Sequence, residues 1–245
     1  MDAWVWPILG SLLGLVAGSF LATLVMRWPE GQPLSGRSHC DSCGVQLTTR
    51  DLVPLLSWAA TRGQCRHCGA PIPAIHPAME GAAAAIGLLA FLVQPGPIGL
   101  AGALFGWILL ALIALDLGHL WLPDRLTLPL IGLGLLFGMG SPADRMLGAA
   151  VGGGGLLAIA LLYRRLRGRD GLGLGDAKLM AALGSWLSVA MMAPLLLLSA
   201  LAGLAYAAMR ARRTGGGAAD PVPFGACLAL AAFPLWLAGQ ASAAG

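Results

Sequence analysis

Two acids in this sequence sit where acids are costly. Asp116 comes at the close of one apolar run, and Asp176 opens another, inside Gly173-Leu174-Gly175-Asp176-Ala177-Lys178-Leu179. Ionisable groups placed in apolar surroundings face a bundle interior or a water-filled cavity. Two carboxylates brought within hydrogen-bond range cannot both ionise, so they share a proton. Such a pair can act as general base on a water and general acid toward a carbonyl. It can also carry a proton or a cation. A plainer role stands beside both. Asp176 lies at a helix start, where the dipole favours an anion, and Lys178 is close enough in sequence to attract it. Gly173 and Gly175 suit a backbone that turns tightly or approaches an extended peptide. They do not make a nucleotide fingerprint, because no βαβ pattern surrounds them. Asp124 follows Pro123 and reads as an N-cap before Leu126, a supporting rather than a catalytic acid.

Four of the five cysteines form a second constellation. Cys40-x-x-Cys43 and Cys65-x-x-Cys68 are separated by twenty-one residues. Two such pairs make a tetrahedral thiolate site for zinc. Thiols held as zinc ligands are not free nucleophiles, which argues against a cysteine protease. His39 and His67 flank the ligands without joining them. Cys227 stands alone in an apolar segment and reads as a small buried hydrophobe.

The elements that must position these groups follow from composition. Only 11% of the 245 residues are charged and 58% are hydrophobic, with mean hydropathy +0.79; a soluble domain carries about 25% charged residues. Residues 86–115, 146–163, 179–209 and 221–245 contain no charge at all. Apolar stretches of this length read as membrane-spanning helices in a lipid bilayer. The expected fold is therefore an all-α polytopic membrane protein of about eight transmembrane helices. The spans fall at about 5–25, 78–94, 98–115, 126–140, 146–163, 175–190, 191–209 and 222–238. Residues 30–77 are polar and turn-rich, and read as a small aqueous domain carrying the four cysteines. Trp58 and the Leu52–Leu56 region would form its modest core or its membrane-facing side. The expected organisation is thus 1–29, a first helix; 30–77, the cysteine domain; and 78–245, a core of about seven helices. Met1-Asp2-Ala3 has no basic run before the first segment, which reads as retained rather than cleaved. Gly14 and Gly18 on that segment form a small-xxx-small pair suited to close helix contact.

Charge then orients the chain. With the cysteine domain in the cytoplasm and the segments alternating, fourteen of the fifteen basic residues lie inside, and only Arg145 lies outside. That bias puts both termini in the periplasm and both acids near the cytoplasmic face. In the reducing cytoplasm a metal site or free thiols are favoured over disulfides. The basic residues punctuate apolar segments and form no separate basic face, so nucleic acid is not an expected partner.

From about Gly14 to Leu183 the chain resembles the prepilin peptidases, the leader peptidases of type IV pili and type II secretion. These are membrane aspartyl proteases with a G-x-G-D motif. The resemblance rests on Gly18-Ser19-Phe20-Leu21 with Arg27 and Pro29, on the two cysteine pairs, and on Asp51-Leu52-Val53-Pro54-Leu55-Leu56-Ser57-Trp58 between them. It continues through His76-Pro77 to Glu80, Asp116-Leu117 with Leu122-Pro123-Asp124-Arg125-Leu126-Thr127, and the Gly173–Leu179 stretch. It implies catalysis by Asp116 and Asp176. It implies cleavage of a prepilin or pseudopilin precursor after a glycine, on the cytoplasmic side of the bacterial inner membrane. It further implies N-methylation of the new terminus by S-adenosylmethionine, with Glu80 as a candidate for handling the methyl donor. Two positions depart from the family pattern. Ala22 stands where an asparagine is usual, losing a donor and an acceptor, and His76 stands where a tyrosine is usual.

Two other classes of function fit the residues without the resemblance. A carboxylate-based transporter would show substrate flux and no peptide cleavage. A zinc-bearing assembly scaffold would keep partner binding after both aspartates were replaced.

Overall fold

The computed structural model describes residues 4–168, 173–214 and 221–244. Met1-Asp2-Ala3, Arg169 and the glycine-rich Gly215–Gly217 lie outside the described residues. The described residues form helices α1 (Val5–Arg27), α2 (Leu56–Ala60), α3 (Ile75–Val93), α4 (Pro97–His119), α5 (Asp124–Phe137), α6 (Pro142–Arg167), α7 (Leu174–Leu187), α8 (Met192–Thr214) and α9 (Phe224–Ala244). The only extended pairings among them are two isolated bridges in the cysteine segment. All eight expected segments are helices, and α2 is an addition. Among the described residues, six helices are long and apolar enough to cross a membrane. α5 and α7, at 14 residues each, rise only about 21 Å against a hydrocarbon layer of about 30 Å.

Several helix ends differ from expectation, each for a local reason. Arg164, Arg165 and Arg167 are not in a loop but in the last turn of α6, which ends at Gly168 with φ +66°. Arg212 and Arg213 likewise lie in the last turn of α8. Cations there complement the helix dipole, so the helix outlasts its apolar stretch. Asp116 does not close its helix, because α4 continues to His119. Pro123, not Asp124, is the N-cap of α5, and Asp124 sits in the first turn.

The chain divides into two compact units, Met1–Ala111 and Leu112–Gly245. In the first, α1 packs along α3, and the contact is backbone on backbone. Gly10 lies on Gly87, Gly14 on Ala83 and Ala84, and Gly18 on Met79 and Glu80. A β-carbon on Gly18 would come within 2.6 Å of the Glu80 Cα. The Gly14–Gly18 pair is therefore the end of a longer stripe that begins at Gly10. Trp107 on α4 donates its indole N–H to the Ala83 carbonyl, 2.9 Å away.

In the second unit α7 is the centre. Nearly every side chain from Ala177 to Leu187 is buried, against α5, α6 and α9. A helix apolar all round is one with neighbours all round. Gly148 of α6 meets Gly184 of α7, and Gly134 of α5 meets Ser185 and Trp186. Trp186 donates to the Leu130 carbonyl at 2.9 Å. Arg145 reaches the Leu135 and Leu136 carbonyls at 3.1 and 2.7 Å. It thereby caps the C-terminal end of α5, where a cation is favoured.

Candidate active site

Three stretches far apart in sequence meet in the second unit. α4 brings Asp116, the start of α7 brings Asp176, and the start of α9 brings Gly225 and Ala226. Asp116 is 5% exposed. Its Oδ2 accepts a 2.7 Å hydrogen bond from the Ala226 backbone N–H, 110 residues away. Asp176 is held from its own helix terminus: the Gly173 N–H donates to its Oδ2 at 3.2 Å, closing a capping box. Each carboxylate thus has one oxygen fixed by a backbone donor. A β-carbon on Gly225 would lie 3.0 Å from Asp176 Oδ1 and 3.1 Å from Asp116 Oδ2. These two oxygens therefore cannot be farther apart than about twice that distance. The absence of a side chain at Gly225 keeps the space between them open. Gly175 has a similar role next to Asp176, where a β-carbon would press on Leu122 at 3.1 Å.

Lys178 does not pair with Asp176. Residues two apart on a helix point to different sides, and its Nζ instead bridges both oxygens of Asp124, at 2.7 and 2.8 Å. This half-exposed ion pair ties the start of α5 to α7 and adds at most about 1 kcal/mol. Asp124 thus pairs with Lys178 and not with either carboxylate of the pair. Cys227 follows Ala226 and is buried.

Gly225 and Ala226 escape sequence reasoning. The run Pro221-Val222-Pro223-Phe224-Gly225 does mark a helix start. Nothing local says that the helix will end on two acids. Gly225→Val is expected to wedge its methyls between the carboxylates and lower turnover on the order of 100-fold, as about an ångström of misplacement can. Turnover by Gly225→Val equal to that of the parent protein would show that the space is not used.

The four cysteines lie in the first unit, in two copies of one loop. Cys40 N–H donates to the Val45 carbonyl and Gly44 N–H to the Cys40 carbonyl; Cys65 N–H and Gly69 N–H repeat this with Ala70 and Cys65. Gly44 and Gly69 have φ of +69° and +72°, the left-handed region that favours glycine. All four sulfurs fall within 4.8 Å of one another, and Cys40 and Cys68 are 3.9 Å apart. No disulfide joins them. Backbone donors from Cys43 and then Ser42 pull the Cys40 thiol down to about 6. At Cys68 the Ala70 backbone donor favours the thiolate, but desolvation and the thiols of Cys43, Cys65 and Cys40 outweigh it and push the group up to about 11. Four thiols so placed cannot all ionise without a cation among them. The donor set, its spacing and its paired loops fit a tetrahedral metal ion.

The surrounding segment has no core of its own. Leu52 and Leu56 are 42% and 70% exposed, and α2 buries none of its residues. The core reading of Leu52–Leu56 and Trp58 is therefore wrong; a segment this short and polar cannot bury enough apolar area to hold itself. What fixes it includes the Arg66–Asp51 pair at 2.9 Å and a bond from the Leu55 N–H to Glu80 Oε2 at 2.8 Å. Glu80 itself is buried, 7% exposed. Leu55 adopts φ +59°, a strained value for a residue with a β-carbon. Ala22 is fully buried.

Comparison with known proteins shows the family. Residues 12–94 match the bacterial peptidase A24 N-terminal domain, and residues 103–208 match the type IV leader peptidase family. A prepilin leader peptidase/N-methyltransferase of Aeromonas hydrophila is 36% identical, over 96% of this chain and 90% of its own length. Proteins of the same name from Burkholderia pseudomallei (strain 1026b) and Dickeya chrysanthemi are 38% and 37% identical, over 89% and 92% of this chain and 81% and 90% of theirs. No solved structure matches.

Proposed function

The chain belongs to the type IV leader peptidase family, and from that premise we propose that it is a bifunctional membrane enzyme. It removes the leader from type IV prepilin or pseudopilin precursors, cutting after a glycine on the cytoplasmic side of the bacterial inner membrane. It then N-methylates the new terminus with S-adenosylmethionine. The observation that carries the peptidase half is the pair of carboxylates flanking Gly225, each with one oxygen held by a backbone N–H.

In this reading a water sits between Asp116 and Asp176. The ionised member takes a proton from the water as its oxygen attacks the scissile carbonyl carbon. The protonated member hydrogen-bonds the carbonyl oxygen, then supplies the proton with which the amine leaves as the C–N bond breaks. Titration belongs to the pair rather than to either acid. Ala226 and Gly173 orient the carboxylates, Lys178 with Asp124 fixes the start of α7 against α5, and the buried packing around α7 keeps bulk water out.

Cys40, Cys43, Cys65 and Cys68 hold a structural zinc, which would supply folding energy to residues 30–77. Glu80 serves the methyl-donor half, for which S-adenosylmethionine supplies the transferable methyl group. The layout is a first helix to residue 29, the cytoplasmic cysteine domain over 30–77, and the membrane peptidase core over 78–245, with both termini periplasmic.

The test uses purified protein, a synthetic pilin-like precursor and S-adenosylmethionine, read by mass spectrometry. The expected product is cut after the glycine and carries one added methyl. A cut product with an unmodified terminus would remove the methyltransferase half. An uncut precursor, with folded and metal-loaded protein, would remove the peptidase half and return the carboxylates to transport.

A further inference from the structure

One side chain stands against both acids of the second unit without taking part in the proton transfers. Leu122 lies on the connector between α4 and α5 and is half-buried. It packs over two residues that have no side chain. A β-carbon on Gly175 would stand 3.1 Å from the Leu122 Cβ, and one on Gly225 would stand 2.6 Å from its Cδ1. The Gly225 position is the one that also lies 3.0 Å from Asp176 Oδ1 and 3.1 Å from Asp116 Oδ2. A single point beside the two carboxylates is thus ringed by two oxygens and a methyl group. Carbons in contact stay about 3.5–4.0 Å apart, so that point takes no carbon while the Leu122 methyl is there.

The wall that Leu122 makes is tied at both ends. The Leu120 N–H donates to the Asp116 carbonyl at 2.9 Å, with Leu120 at φ +49°, which few residues with a β-carbon adopt. On the other side Pro123 is buried, and its carbonyl accepts from the Leu126 and Thr127 N–H groups at 3.0 and 3.1 Å. A residue before proline has little backbone freedom of its own. Leu122 is therefore anchored to the helix of one acid and to the start of α5, while it packs on the helix of the other acid.

We propose that Leu122 walls the subsite for the residue that precedes the cut, and that it sets the requirement for glycine there. The scissile carbonyl must reach both carboxylates, and the Cα of its own residue is only about 1.5 Å from the carbonyl carbon. Any side chain on that residue is thereby delivered to the space beside the two acids, which Leu122 narrows. A hydrogen fits there, and a methyl group meets the Leu122 methyl. Gly175 and Gly225 leave the gap open toward the acids, and Leu122 limits what enters it. This inference rests on the peptidase half of the proposed function and names the residue that restricts its substrate.

The test compares two synthetic pilin-like precursors, one with glycine before the cut and one with alanine, on the purified full-length protein in detergent. kcat/KM is measured for each. The parent protein is expected to favour the glycine precursor by about 10- to 200-fold, the scale on which a shaped pocket refuses one extra carbon. Leu122→Ala is expected to shrink that preference by about tenfold or more, whatever it does to the rate on glycine. A residue that only packs would lower both rates together and keep their ratio. An unchanged ratio in Leu122→Ala would therefore overturn the inference while the peptidase stands. If thermal unfolding shows that this variant has lost its fold, or if it cuts neither precursor, Leu122→Val decides. It removes one methylene and is expected to narrow the preference by about threefold or more, and an unchanged ratio there overturns the inference. A parent protein that cuts both precursors equally would remove the glycine requirement, and this inference with it, but not the peptidase. A parent protein that cuts neither would remove the peptidase reading itself.

Discussion

Asp116→Asn and Asp176→Asn are each expected to lower precursor cleavage by about 100- to 10,000-fold, the contribution of a positioned acid or base. Either substitution keeps the side-chain shape. In Asp116→Asn the amide oxygen can still accept from the Ala226 N–H, and in Asp176→Asn it can still accept from the Gly173 N–H. The fold should therefore survive, and what is removed is the ability to exchange a proton across the pair. The double variant should be little worse than either single one, because residues that act as a unit are not additive. Cleavage is read with purified variants and the synthetic precursor, with thermal unfolding as the control. Normal cleavage by either variant would exclude the two-carboxylate mechanism.

The second large effect concerns the metal. Cys43→Ser removes one of four sulfurs from a segment that has almost no core. Structural zinc supplies about 10–16 kcal/mol in small metal-dependent domains, far more than the burial available from Leu52, Leu56 and Trp58 here. Bound zinc is expected to fall from one per chain toward none, and residues 30–77 to become a site of rapid proteolysis. The helices of the second unit should resist digestion as before. Metal content by emission spectrometry and the positions of the cuts check both points. A parent protein that carries no metal, and is digested no more slowly than Cys43→Ser, would show that the sulfurs are not a metal site.

Much of this was legible in the sequence, because membrane helices announce themselves by runs without charge. Asp116 and Asp176 stood out against those runs, and the two cysteine pairs by their spacing. What was not legible depends on partners distant in the chain. Lys178 is two residues from Asp176 but pairs with Asp124, since helix geometry and not sequence distance selects the neighbour. Ala226 contacts Asp116 across 110 positions, and no periodicity reports that. Gly10 belongs to the same stripe as Gly14 and Gly18, but only the register against Gly87 reveals it. The shortness of α5 and α7 was hidden because apolar residues continue past their ends. Gly138 ends α5, and Ser188, with φ +66°, ends α7.

The paired cysteine loops also bear on how the first unit assembles. The link between α1 and α3 runs over residues 28–74. Joining Cys40 to Cys68, 28 positions apart, would cut that tether from 47 residues to about 19. Closure entropy grows as the logarithm of length, so the shorter tether favours docking of the two helices by about 0.8 kcal/mol. Metal capture and the meeting of the glycine stripe are then coupled events, although no atom of the ion need touch either helix. A chelator applied to the polar side would loosen a helix pair buried in lipid.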